Sequence, residues 1–98
     1  MALTSKQRAH LRGLAQKLDP IFQVGKGGVT PELTDAVALA LEARELVKVS
    51  VLNNCVMEAA EAADMLSGRT RAEVVQVIGK RFVLYRASKT KQVVELPK

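Results

Sequence analysis

Ninety-eight residues, 48% of them hydrophobic, make one folded domain and exclude a disordered chain. A single cysteine, Cys55, excludes an internal disulfide framework, and no apolar run approaches the length of a membrane span. A net charge of +5 points to an acidic partner, and the lack of a signal peptide makes the cytoplasm the expected location.

Residues 4 to 18 read as the first helix. Leu11, Leu14, Ala15 and Leu18 fall at i, i+3, i+4 and i+7 as one apolar stripe, while Lys6, Arg8, Arg12 and Lys17 point elsewhere. Thr4 or Ser5 can cap it, and Asp19-Pro20 ends it, because the residue before proline avoids helical dihedrals. Residues 21–24 are a short strand. Gly25-Lys26-Gly27-Gly28 follows, then Thr30-Pro31-Glu32-Leu33, a capped helix start with proline where no amide is needed. The second helix covers about 31 to 43, with Leu33, Val37, Ala40 and Leu41 on one face. Residues 46 to 52 alternate as a strand, Val47, Val49 and Val51 toward the core and Lys48 on the opposite face.

A third helix is expected over 56 to 67, with Val56, Ala59, Ala60, Ala63 and Leu66 as a thin apolar stripe and Gly68 as its stop. Residues 73–78 and 81–86 form a hairpin around Gly79-Lys80, where glycine at the first central position suits a type II′ turn. That turn sets Ile78 opposite Arg81, Val77 opposite Phe82, Gln76 opposite Val83 and Val75 opposite Leu84. Val75, Val77, Phe82 and Leu84 then share an apolar face, and Tyr85 lies on the other, half exposed. Residues 87–98 read as a basic, weakly patterned tail with a short extended piece at 93–96. The order α-β-α-β-α-β-β predicts an α/β fold, a four-stranded mixed sheet with helices packed on it.

Charge is unevenly distributed. Residues 1–30 carry a net +4, residues 31–66 a net −5 and residues 67–98 a net +6. If the basic ends meet in space, the molecule has one positive and one negative face, which fits a polyanion partner.

The glycine run is the clearest chemical signal. A strand, a three-glycine loop and a helix start form a place to hold phosphate, with loop and helix-start amides directed outward and Lys26 at the tip. Gly25-x-x-Gly28 fits the G-x-x-G pattern with which KH domains clamp a nucleic-acid backbone, although the same letters describe an ordinary glycine turn. Neither G-x-x-x-x-G-K-[ST] nor G-x-G-x-x-G can be matched here, which argues against nucleotide binding. His10 and Cys55 are each alone of their kind, too few for a zinc site and without a visible third group for nucleophilic chemistry. No enzyme activity, cofactor, metal or small-molecule substrate is expected. Phe22, Phe82 and Tyr85 are too few for a base-stacking platform, so phosphate and shape recognition is favoured.

Taken together, the element order, the strand–Gly25-Lys26-Gly27-Gly28–helix loop, the amino-terminal Leu3-Thr4-Ser5-Lys6-Gln7-Arg8 with Leu11-Arg12-Gly13-Leu14-Ala15, Leu46-Val47-Lys48-Val49 and the closing segment from Val75 to Arg86 resemble a CRM domain (chloroplast RNA splicing and ribosome maturation) over about residues 3 to 86. At this length the chain is similar to the stand-alone bacterial YhbY family. The resemblance implies a fold like the C-terminal domain of translation initiation factor three. It also implies RNA binding, with ribosomal RNA in precursors of the large subunit as the partner. The family's loop carries over onto Gly25, Lys26, Gly27 and Gly28, and its basic first helix onto Lys6, Arg8 and Arg12. Lys80 and Arg81 on the hairpin complete the expected RNA-binding set. The alternative reading is a protein-interaction module that docks on a ribosomal protein through the acidic second and third helices.

Overall fold

Thr4 starts the first helix by accepting the Gln7 amide on its hydroxyl while the Gln7 side chain accepts the Thr4 amide, both at 3.1 Å. The helix, α1, runs Ser5–Ala15, and the chain then turns into a short strand, β1 (Phe22–Val24). Thr30 caps α2 (Pro31–Arg44) with proline in its first turn. The remaining elements are β2 (Leu46–Val51), α3 (Ala59–Thr70), β3 (Glu73–Ile78) and β4 (Arg81–Tyr85). This computed structural model describes residues 3–55, 57–90 and 92–97. Val56, expected on the α3 stripe, and Lys91 and Lys98 of the tail lie outside the described residues.

The four strands form one mixed sheet in the order β1-β2-β4-β3. β1 pairs with β2 in parallel, and β4 runs antiparallel to both β2 and β3. The expected α/β architecture and element order therefore hold. Alternation along the strands sends side chains to two cores. On one face Val24, Val47, Val49, Val51, Phe82 and Leu84 meet α2 and α3 through Val37, Leu41, Ala62, Ala63 and Leu66. On the other face Leu11 and Ala15 of α1 meet Leu46, Val75, Val83 and Tyr85. Each fully buried leucine here contributes about 1.5–3 kcal/mol.

Several expectations need correction. The hairpin register holds from Ile78↔Arg81 to Gln76↔Val83, and Gly79 takes the positive φ of 55°. A bulge between Val74 and Gln76 then puts Val74 opposite Leu84. Val75 consequently packs under α1, and Val77 stays 41% exposed at the sheet edge. Helix α3 runs through Gly68 to Thr70, whose side chain is buried, and Arg71 supplies the left-handed C-terminal residue. Leu14 and Leu18 leave the apolar stripe and line an open groove with Ile21 and Val93.

The largest correction concerns the tail. Glu45, with φ 66° and almost fully buried, accepts the backbone amides of Ser88 (2.7 Å), Val93 (2.6 Å) and Val94 (2.8 Å). Glu42 accepts the Ser88 hydroxyl and the Lys89 amide. Two carboxylates at the end of α2 thus fold the tail back, so that Val94 and Leu96 pack beside Leu11 and cover Tyr85, which is 4% exposed. Burial, then the Glu45 charge, pushes the Tyr85 phenol up.

Candidate nucleic-acid interface

β1, β2 and β3 all point the same way, so the segments that follow them meet at one end of the sheet. The Leu52 amide donates to the Val24 carbonyl (2.9 Å) and the Val51 amide to the Lys80 carbonyl (2.6 Å). The Lys80 ammonium donates to the Asn53 side chain. These bonds tie the glycine loop, the segment after β2 and the β3–β4 hairpin into a single rim at the carboxyl ends of parallel strands, where α/β sheets hold ligands.

Within the rim the glycine loop is a closed turn. The Gly28 amide donates to the Gly25 carbonyl at 2.9 Å, leaving Lys26 and Gly27 exposed at the tip. Gly28 is buried with φ 70°. The helix start beyond it offers fewer amides than the sequence suggested. Pro31 has none, the Leu33 amide is taken by the Thr30 hydroxyl (3.1 Å) and the Thr34 amide by the Thr30 carbonyl (2.9 Å). Anion attraction at this end therefore rests on cations more than on the helix terminus. Arg69, which sequence reasoning missed, donates to the Val29 carbonyl at 3.4 Å and brings a guanidinium to the loop's exit. Its position near the end of α3 carries no periodic signal that could have revealed it.

Lys26, Lys80 and Arg81 are exposed at this end. Arg81 sits in a row that crosses all four strands, Gln23–Ser50–Arg81–Ile78, and the next row holds Lys48 and Gln76 on either side of Val83. The basic first helix lies elsewhere. Its buried residues Leu11 and Ala15 rest against Leu46 and Tyr85, at the end where β2 begins, a strand length of roughly 17 Å from the loop. The expected convergence of Arg8, Arg12 and Lys26 beyond Asp19-Pro20 is thus corrected: α1 and the loop occupy opposite ends of the sheet. Arg8 has a further task, donating from Nη1 to the carbonyls of Val74 and Val75. Lys6 and Arg12 are exposed.

The charge asymmetry follows the layers. α1, with Lys6, Arg8 and Arg12, covers one side of the sheet, while α2 and α3, with Glu32, Asp35, Glu61 and Asp64, cover the other. Among the described residues no group of three or more His, Cys, Asp or Glu could hold a metal ion. No helix of the described residues is long and apolar enough to cross a membrane.

The family model for the CRS1/YhbY (CRM) domain matches residues 3–86. The chain belongs to the CRS1/YhbY family. It is 50% identical over 95 residues to the Bacillus subtilis "Probable RNA-binding protein YqeI", covering 97% of this chain and 99% of that protein. It is 33% identical over 96 residues to a Haemophilus influenzae "RNA-binding protein", covering 98% and 96%. Among solved structures, it is similar to the solution structure of a Staphylococcus aureus protein described there as an RNA-binding candidate. That match has 49% identity and a TM-score of 0.82, and covers 98% of this chain and 100% of the other. The CRM match stops at Arg86, where the tail begins, yet these relatives align over nearly the whole chain.

Proposed function

We propose that this CRM-family chain binds RNA through its phosphates, at the rim formed by the glycine loop, Lys26, Arg69, Lys80 and Arg81. The observation that carries the reading is the cross-tied rim itself, a stiff turn with exposed cations on both sides of it. Relatives at 50% and 33% identity that are named for RNA binding support it. The RNA in this reading is ribosomal, in precursors of the large subunit, met in the cytoplasm. Lys6 and Arg12 on α1 form a second line of contact for an RNA long enough to reach the far end of the sheet. Arg8 supports that line by holding α1 to β3.

Recognition is by charge and shape. Phe82 and Tyr85 are buried, and Phe22 packs against the core, so none of the three aromatics forms a stacking platform. The role is binding without catalysis, in one domain.

Gel-shift titrations with ribosomal RNA fragments at increasing salt test the reading. Each phosphate contact adds about −0.7 to −0.9 to the log–log slope, so the rim's four cations give a slope of roughly −3. No binding at low salt overturns the proposal. Crosslinking in cells, followed by sequencing of the bound RNA, tests the ribosomal assignment.

A further inference from the structure

Beside the rim, half of one sheet face is open. α1 covers the end near Leu46 and Tyr85, and beyond its reach the side chains of Gln23, Lys48, Ser50, Gln76, Ile78 and Arg81 share a surface that no helix of the described residues covers. A shallow hollow of about 130 Å³ lies among Lys48, Gln76 and Arg81. Ile78 is 62% exposed at the far end of the row.

Two properties say what this face suits. It carries two cations and no carboxylate, on a molecule whose acidic residues lie mainly in the opposite layer. Its uncharged members, Gln23, Ser50 and Gln76, make no side-chain hydrogen bond to another described residue. Between them, two amides and a hydroxyl offer both donors and acceptors, and the row begins at Gln23, two residues before the glycine turn.

We infer that this open half-sheet reads the ribose 2′-hydroxyls of the RNA strand whose phosphates lie at the glycine loop, with Gln23, Ser50 and Gln76 as the reading groups. The inference rests on the phosphate-binding reading and adds to it the means of telling RNA from DNA. A DNA strand satisfies Lys26, Lys80 and Arg81 as well as RNA does. It lacks the 2′-hydroxyl that both donates and accepts, so the amides find fewer partners. Because the three reading residues are uncharged, removing them leaves the counterion term untouched.

The test compares the ribosomal RNA fragment bound most tightly in gel shift with DNA of the same sequence, using the intact chain and the triple variant Gln23→Ala, Ser50→Ala, Gln76→Ala. Thermal melts confirm that both are folded. The intact chain is expected to prefer RNA by roughly tenfold, and the variant to lose most of that preference while keeping its DNA affinity and salt slope. An intact chain that binds both polymers equally overturns the inference and leaves phosphate binding standing. So does a folded variant whose RNA preference is unchanged. An intact chain that binds neither overturns both readings. As a second measurement, the side-chain amide resonances of Gln23 and Gln76 should move further with RNA than with DNA. Equal or smaller movement with RNA counts against the inference.

Discussion

Gly28 sets its bare α-carbon against the Met57 side chain. A Cβ built there lies 3.2 Å from the Met57 sulfur, in a backbone whose φ is 70°. Gly28→Ala therefore meets both left-handed strain and a crowded thioether, and is expected to cost about 1–2 kcal/mol. Gly27→Ala meets neither, since its nearest neighbour is the Thr30 methyl at 3.7 Å, and should stay within about 0.5 kcal/mol. Urea unfolding of the two variants reads the difference directly. Equal costs would show that the turn does not depend on its last glycine.

The double variant Lys26→Asp, Gly27→Asp places two carboxylates at the exposed tip. RNA affinity is expected to fall by roughly tenfold or more at low salt, with the melting temperature shifted by only a few degrees. Parallel binding curves and melts separate these effects. A loss of stability that accounts for the loss of binding would make the loop a structural turn only.

Arg8 and Arg12 stand one turn apart on α1 but have different surroundings. Arg8→Ala removes the donor to the Val74 and Val75 carbonyls and is expected to cost about 1–2 kcal/mol in a denaturant melt. Lys6→Ala with Arg12→Ala should leave stability within about 0.5 kcal/mol and lower the salt slope by roughly two contacts, on long ribosomal fragments only. If short fragments lose as much slope, the α1 line is not a separate contact.

Acid should free the tail. Burial alone would raise the Glu45 carboxyl, but the amides of Val94, Ser88 and Val93 outweigh it and hold the pKa below the usual 4.5. Glu42 is lowered chiefly by the Ser88 hydroxyl, then by the Lys89 amide. A depressed folded pKa contributes stability that is present above the unfolded value and lost as pH falls through the folded one. The tail is thus expected to stay latched above about pH 4.5 and to release below it. Tyr85 is the sole tyrosine in a chain without tryptophan, so its near-ultraviolet signal reports the release. Glu45→Gln should destabilise the tail even at neutral pH, by about 1–3 kcal/mol. A pH-independent tyrosine signal from neutral pH into strong acid would refute the latch.

How much of this was legible follows from where each signal resides. The stripe Val37–Leu41, the alternation from Leu46 to Val51 and the Thr30-Pro31 cap are local, and all fold as their spacing demands. Gly79 likewise fixed the hairpin for its first three pairs. The bulge at Val75 has no local signature, because the adjacent valines Val74 and Val75 suit either face of the sheet. The tail latch was hidden for the same reason. Glu42 and Glu45 look like solvated helix charges until Ser88, Val93 and Val94 arrive from some forty residues away. At the site, the loop and the hairpin cations were readable as residue types. The contacts of Arg69 with Val29 and of Arg8 with β3 exist only in the folded chain.

Leu11, fully buried, rests on residues made much later: Val83, Tyr85, Val94 and Leu96. The Gln7 side chain even reaches the carbonyl of Pro97, at 3.1 Å. During synthesis the first helix therefore leaves the ribosome long before anything exists to cover it. The α2–α3 core can assemble once β4 emerges, and α1 can then dock on Leu46, Val75, Val83 and Tyr85, but its cover is completed only when Val94 and Leu96 follow. Burial of Leu11 is thus a late event in the making of this domain, and until then it is open to chaperones or to a neighbouring nascent chain.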